Sequence, residues 1–396
     1  MSLNMQSFAA ALKVHYTDNR VENMVYKNQP FFAMVKKYEK FLGLNMPIPI
    51  ITGNPQGRSS TFSNAKAQKT SSTIKAFTLV RARDYALASI DNETIEASAG
   101  NADAFMSATT TEIDGAMSAA ATSLAISCFL DGSGAIGIVA TGGISGQNIT
   151  LKNPSEVVRF EVGQLLNSYD TTGVTSRNVS VTVTKVDRVH SVVTVSGSLT
   201  GVVDTDKLYV AGDKDQKVKG LAAWLPILGP QTGDNFFGVD RTVDPTRLAG
   251  IVYDGTGDTI ENALINAAAL VGREGGKPDA CFLSFERFAS LEIALGAKIQ
   301  RVKQDKGEVG FSGLLIHGPR GDIEVYADQN CSYDRLYLLQ MDTWKLCSLG
   351  KAPKLLESDG NKMLRETDSD GIEVRIGYYA QLACSAPGWN CVVKLA

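Results

Sequence analysis

The stretch Ala97–Leu130, ASAGNADAFMSATTTEIDGAMSAAATSLAISCFL, decides the fold. Ala supplies helix propensity throughout, and only Asp103, Glu112 and Asp114 are charged, so the spacing predicts one long helix. Phe105, Met106, Ile113, Met117, Leu124, Ile126, Phe129 and Leu130 are too sparse and too spread to make an ordinary amphipathic stripe. Water gains little by solvating so small-sided a rod. It is therefore expected to lie against other surfaces along much of its length, as a packed strut and not as a catalytic scaffold.

Upstream of the rod, AFTLVRARDYALASIDNETIEAS brings the β-formers Phe77, Leu79, Val80 and Tyr85, then an acidic run, and predicts a strand feeding the strut. Before that, residues 51–75 hold many turn and hydroxyl residues, the cations Arg58, Lys66, Lys69 and Lys75, no acid and few apolar side chains. Such a segment cannot bury a core of its own; it is disordered, or an excursion that becomes ordered on a neighbour. Residues 1–50 read as an arm, with Gln29-Pro30 marking a break and Phe31, Phe32, Met34 and Val35 offering a short sticky patch.

Downstream, FLDGSGAIGIVATGGISGQ is glycine-rich and is expected to end the regular structure. The period then changes to two over 148–213, where Val179, Val181, Val183 and Val186 are followed by Val189, Val192, Val193 and Val195 with turn residues between. This predicts a small all-β module of five or six strands, a barrel or sandwich, read as an insertion. Beyond it the pattern is mixed α/β. Asp258 and Glu261 resemble a capping box opening a helix that Gly272 stops, and Ser284 caps FERFASLEIAL. The remaining apolar runs read as strands, with Pro387-Gly388 turning the last two against each other.

With 396 residues there is room for two or three compact units. Lys plus Arg number 39 against 42 Asp plus Glu, which gives no electrostatic reason to expect tight nucleic-acid binding by the free chain. The run LAAWLPILG, interrupted by Pro226, falls short of the ~20 residues of a membrane span, so no membrane partner is expected. The N-terminus lacks the pattern of a secretion signal, so synthesis and folding in a cytosol are expected. Cysteines 128, 281, 331, 347, 384 and 391 form no CxxC pair and no cluster with histidine, which predicts reduced, buried thiols and no zinc site.

Catalytic patterns are scarce. Gly132, Gly134 and Gly137 form a GxGxxG, but it follows a helix and precedes IVATGG, the wrong context for a dinucleotide; it reads as a flexible joint. His15, His190 and His317 lie far apart, each read as an isolated surface or core histidine. Asp368 and Asp370 sit in a turn and read as solvated. The sequons at Asn92, Asn148 and Asn178 are chance matches in a chain that is never secreted. No catalytic residue, cofactor or metal is assigned, and an enzyme is disfavoured.

The order of parts resembles the major capsid proteins of tailed bacteriophages, whose fold is shared with herpesvirus capsid floors and encapsulins. The likeness is carried by RARDYALASIDNETIEAS leading into the Ala-rich helix, GKPDACFLSFERFASLEIAL, DRLYLLQMDTWKLCSLGKAPKLL and DGIEVRIGYYAQLACSAPGWNCVVKLA. It implies an α+β capsid fold: N-terminal arm (1–50), extended β-hairpin loop (51–78), and a peripheral domain (79–147) with a spine helix (97–130). An inserted all-β domain (148–213), an axial domain (219–342) and returning strands of both domains (343–396) complete it. The implied function is a structural subunit that self-assembles into hexamers and pentamers of an icosahedral head around double-stranded DNA. Scaffolding protein or domain, portal and in some cases a cement protein are the implied partners, and the virion and the host cytoplasm the implied locations.

Arg58, Lys66, Lys69 and Lys75 are the expected assembly-interface residues, pairing with acids of an adjacent subunit. Some relatives join subunits by a Lys–Asn isopeptide bond, but no partner Asn or promoting Glu can be matched to Lys66, Lys69 or Lys75, so non-covalent lacing is expected. The alternatives are an encapsulin-type compartment shell, which a neighbouring cargo gene would favour, and a β-module adhesin, which needs a secretion signal or a repeated module.

Overall fold

The structure, a computed structural model, describes residues 29–91, 102–296, 300–306, 309–357, 363–366 and 370–395. The long helix runs Ala102–Phe129 and lies across a six-stranded sheet. That sheet is organised by the strand Gly371–Cys384, which pairs antiparallel with Ala82–Asp91 from Gly371↔Asp91 to Ala380↔Ala82, and with Trp344–Ser348 at its other end. Lys36–Tyr38 adds parallel to Trp344–Ser348, while the short strands Lys354–Leu355 and Met363–Arg365 pair farther along the same edge of Gly371–Cys384 as Trp344–Ser348, across from Ala82–Asp91.

The helix does carry a narrow apolar stripe. Ile113, Met117 and Ala120 are buried at helical spacing against Ala88, Val374 and Ile376 of the sheet, and Glu112, Gly115, Ser118 and Ala119 stay exposed. Alanines at the contact let the helix axis approach the strands closely. Its last turns sink fully: Leu124, Ala125, Cys128 and Phe129 enter the central core with Trp224, Phe282, Trp344 and Tyr378. There Phe31 packs edge-on to Phe129 and Phe282, at ring-centroid distances of 5.2 and 5.3 Å. The first residues of the expected helix, 97–101, and His15 and Asp368 lie outside the described residues.

A second sheet of seven strands has the order Ile251–Asp254, Cys391–Lys394, Arg335–Leu339, Ala280–Leu283, Gly321–Ala327, Val309–Gly318 and Gln300–Lys306. Helices Ile260–Arg273 and Phe285–Leu295 pack on it through Ala263, Leu264, Ala267, Val271 and Leu291. Ser284 caps the second helix, accepting from the Arg287 amide. The first is capped by Thr259, not Asp258: the Thr259 hydroxyl accepts from the Asn262 amide, while Asp258 accepts from the Tyr253 hydroxyl. Gly272 does not stop it either; the helix continues to Arg273 and turns at Gly275, where φ is 94°.

The last two strands do not pair. Gly371–Cys384 belongs to the six-stranded sheet and Cys391–Lys394 to the seven-stranded one, and the turn Pro387–Trp389 carries the chain between them. The buried Asn390 explains the break: its carboxamide accepts from the Gln340 amide and the Trp344 indole and donates to the Ala386 carbonyl, which anchors the crossing.

Between helix and second sheet stands a closed six-stranded barrel. Its strands are Ala135–Ser145, Asn148–Leu151, Leu165–Tyr169, Ser176–Asp187, Val192–Ser196 and Lys207–Val210. Val179, Val181, Val183, Val193 and Val195 point inward around Phe160, and Val189 stands exposed in a turn. The glycine-rich segment therefore does not end regular structure; it supplies the first barrel strand. Ile136 and Val139 fill the core, and Gly137 faces the Phe160 ring, where no side chain fits.

Candidate assembly surfaces

A two-stranded hairpin leaves the body at Asn45–Gly53 and returns at Thr73–Val80, in register from Asn45↔Val80 to Ile51↔Ile74. Its first strand begins six residues before the expected loop boundary, because alternation of Met46, Ile48 and Ile50 already packs that stretch against the central core. At the base, Phe77 is edge-on to Trp224 at 5.1 Å and Phe236 at 6.2 Å, and Phe77 and Leu79 are fully buried. Beyond Ala76 nothing inward remains to bury. The short helix Phe62–Ala67 near the tip has no buried residue, and Phe62, Ile74 and Ile51 are 85%, 64% and 55% exposed.

All four sequence-chosen cations lie on this distal part and are exposed. The tip folds back on itself, with the Gln56 amide donating to the Thr70 hydroxyl at 2.8 Å and Gly57 against Lys69 and Ala65, which gathers Arg58, Lys66 and Lys69. Lys75 lies apart, down the returning strand, where its charge adds slightly to the hydrogen bonds from Thr242 that hold the Asp240 carboxyl below its ordinary range. Among the described residues Arg58, Lys66 and Lys69 form no ion pair.

The second feature is the joint between barrel and body. Lys217 is 9% exposed and bridges Asp84 Oδ2 at 2.6 Å and Asp213 Oδ2 at 2.9 Å. Asp84 also accepts from Ser123 of the long helix at 2.6 Å and from the Tyr378 hydroxyl at 3.3 Å. One ammonium thus ties sheet, helix and barrel exit. Burial raises the Asp213 carboxyl, with Lys217 opposing the shift. On the barrel's other flank the buried pair Arg159–Glu156, 3.2 Å apart, reaches the Asn330 carbonyl and the Ser332 hydroxyl of the second sheet's loop.

Two of the GxGxxG glycines, Gly132 and Gly134, sit in this joint and make it tight, contrary to the expected flexible link, while Gly137 lies in the first barrel strand. Gly134, at φ 85°, abuts the Asp213 carbonyl so closely that a Cβ would overlap it, and Gly132, also at 85°, abuts Lys219. The chain enters and leaves the barrel side by side, the Asp215 amide donating to the Ser133 carbonyl at 2.7 Å.

The remaining candidates stay scattered. His190 and His317 are 76% and 66% exposed at the side chain, with ring nitrogens 2.9 and 2.6 Å from Asp187 and Asp322. All six cysteines are buried free thiols. Asp370 is exposed, 3.9 Å from Arg365. No group of three or more His, Cys, Asp or Glu among the described residues could hold a metal ion, and none of their helices is long and apolar enough to cross a membrane. Sequence reasoning missed Arg81, Arg83 and Lys219, whose shared cleft arises only from the packing of distant segments.

No protein-family model and no curated protein matches the sequence. Among solved structures, a chain of the cyanophage A-1(L) capsid asymmetric unit superimposes with a TM-score of 0.54 at 12% identity, covering 92% of each chain. The chain has the capsid fold of tailed phages. Further similarity is to the capsid of a native GTA particle, with a TM-score of 0.47 at 8% identity over 93% of this chain and 91% of that one. The SrpI encapsulin of Synechococcus elongatus PCC 7942 gives 0.43 at 7% identity, over 93% and 88%.

Proposed function

We propose that the chain is a structural shell subunit, the major capsid protein of a phage head, and not an enzyme. Copies associate as hexamers and pentamers into an icosahedral wall around double-stranded DNA, which is enclosed without sequence-specific contact. A scaffold and a portal take part in assembly, and a cement protein where one is needed. Residues 79–134 with the strand Gly371–Cys384 form the peripheral domain, 219–342 with the returning strand Cys391–Lys394 the axial domain, and the barrel is an insertion between them.

The observation that carries this is the hairpin: none of the described side chains of its outer half is buried, and Phe62, Ile51 and Ile74 stand exposed on the same excursion as Arg58, Lys66 and Lys69, which form no ion pair among the described residues. A neighbouring subunit supplies the missing surface. The segment meets its ordering cost only when that neighbour is present. Each contact needs only about 1,000 Å² or more, because a subunit held by several neighbours dissociates only when all release together.

Negative-stain microscopy and sedimentation of the purified chain test this. Closed shells or capsomer rings are expected; monomers alone across protein concentration and salt overturn it.

A further inference from the structure

Arg81, Arg83 and Lys219 line one cleft of about 580 Å³ at the base of the hairpin. The Lys219 ammonium lies 4.7 Å from the Phe237 ring centroid and 5.3 Å from that of Phe236. Phe237 holds φ at 48°, a strained conformation for a bulky residue, and its carbonyl accepts from the Thr78 amide at 2.9 Å. The wall behind is rigid: the Lys219 amide donates to Gln381 Oε1 at 2.8 Å, and Gln381 Nε2 donates to the Val80 carbonyl at 2.9 Å. The Arg81 guanidinium stacks over the Phe41 ring at 5.0 Å and donates to the Phe41 carbonyl.

Among the described residues no carboxylate makes an ion pair with these three cations, although Asp215 lines the same cleft and its charge and that of Asp234 act on Lys219. Asp84 and Asp213 are engaged by Lys217, Asp215 by Lys214 at 2.7 Å, and Asp234 by Arg241 at 2.7 Å. Burial, aided by the charge of Arg241, pushes the Lys219 ammonium below its ordinary value. A half-buried ammonium gripped by a strained aromatic residue, with two guanidinium groups beside it, is preorganised for an anion.

We propose that this cleft receives a carboxylate side chain from a second copy of the chain. The inference rests on the shell-subunit reading and names a contact within it. The cleft lies where the hairpin leaves the body, so a neighbour reached by that hairpin passes close to it. The partner charge is available: Glu39, Asp91 and Glu112 are exposed and make no ion pair among the described residues. A carboxylate matches the planar guanidinium fork of Arg83, and Lys219 adds a point charge.

Carbodiimide cross-linking of assembled wild-type particles, prepared from mixed light and ¹⁵N-labelled chains, is expected to join Lys219 Nζ to an Asp or Glu of another copy. The exposed-site variant Arg83→Glu, and the double variant with Lys219→Glu, are expected to raise the concentration needed for assembly at least tenfold while Arg83→Glu melts as wild type. Shells in which other lysines cross-link between copies but Lys219 does not overturn the proposal, as does assembly of Arg83→Glu at the wild-type concentration. Binding of a 30-base-pair duplex that Arg83→Glu abolishes without changing assembly assigns the cleft to phosphate and also overturns it. If the wild type forms no shells, the shell-subunit reading falls and takes this contact with it; if wild type and variants assemble alike, only the contact falls.

Discussion

The hairpin and the barrel are both all-β excursions from the same body, and they solve the problem of burial in opposite ways. The barrel closes on itself, so no strand edge is left open, and it gathers its own core of valines, leucines and isoleucines around Phe160. The hairpin has two strands and open edges, and beyond Ala76 none of its described side chains is buried. A two-stranded ribbon is marginal on its own. One region is complete within the chain; the other is completed by something outside it.

The largest expected effect breaks that contrast directly. Deleting Arg58–Lys75 should leave the subunit folded, with its melting temperature nearly unchanged by circular dichroism, and abolish closed particles in electron micrographs. Normal particles from the deletion would show that the hairpin completes nothing.

Next comes the barrel's own core. Phe160→Ala removes a fully buried ring and should cost about 3–5 kcal/mol in urea unfolding of the barrel, with the transition of the two sheets displaced far less. A single shared transition would mean that the barrel is not an independent unit. Slightly smaller is Lys217→Met, which leaves Asp84 and Asp213 without their counter-charge and should cost about 3 kcal/mol. Hydrogen exchange should locate the loss at the barrel exit and leave protection inside the barrel intact.

The smallest effect concerns the segment that precedes the hairpin. Asp328 is fully buried, accepting from the Phe31 amide at 3.2 Å and the Asn330 amide at 2.9 Å, and burial pushes its carboxyl from 3.8 up to about 6 despite those bonds. The native state then holds a proton that the unfolded chain has released. Its contribution to stability is therefore full below about pH 4 and is lost as the pH rises through about 6. Asp328→Asn should remove that slope, on the order of 2 kcal/mol, from the difference between the two proteins' unfolding curves at pH 4 and pH 7. Equal slopes would exclude Asp328 as the titrating group.

Much of this was legible in residue order, because periodicity reports local structure. Alanine and sparse charge marked the long helix, alternating valines marked the barrel, and the apolar-poor, acid-free run 51–75 marked the excursion with its four cations. Errors came where a residue's role depends on what approaches it from afar. Glycines 132, 134 and 137 read as slack but are sites of close backbone and ring approach. Pro387-Gly388 read as a hairpin turn but is a crossing between sheets, set by Asn390.

The chain by itself determined which segments are helix, strand and solvated excursion, since propensity and hydrophobic period act over a few neighbouring residues. Only the tertiary structure decided which strands share a sheet, that Lys217 serves three elements, and that Arg81, Arg83 and Lys219 line one cleft. Those juxtapositions bring together residues from distant segments, Lys217 with Asp84 and Lys219 with Arg81 and Arg83, and burial and charge are properties of where such residues meet, not of their order.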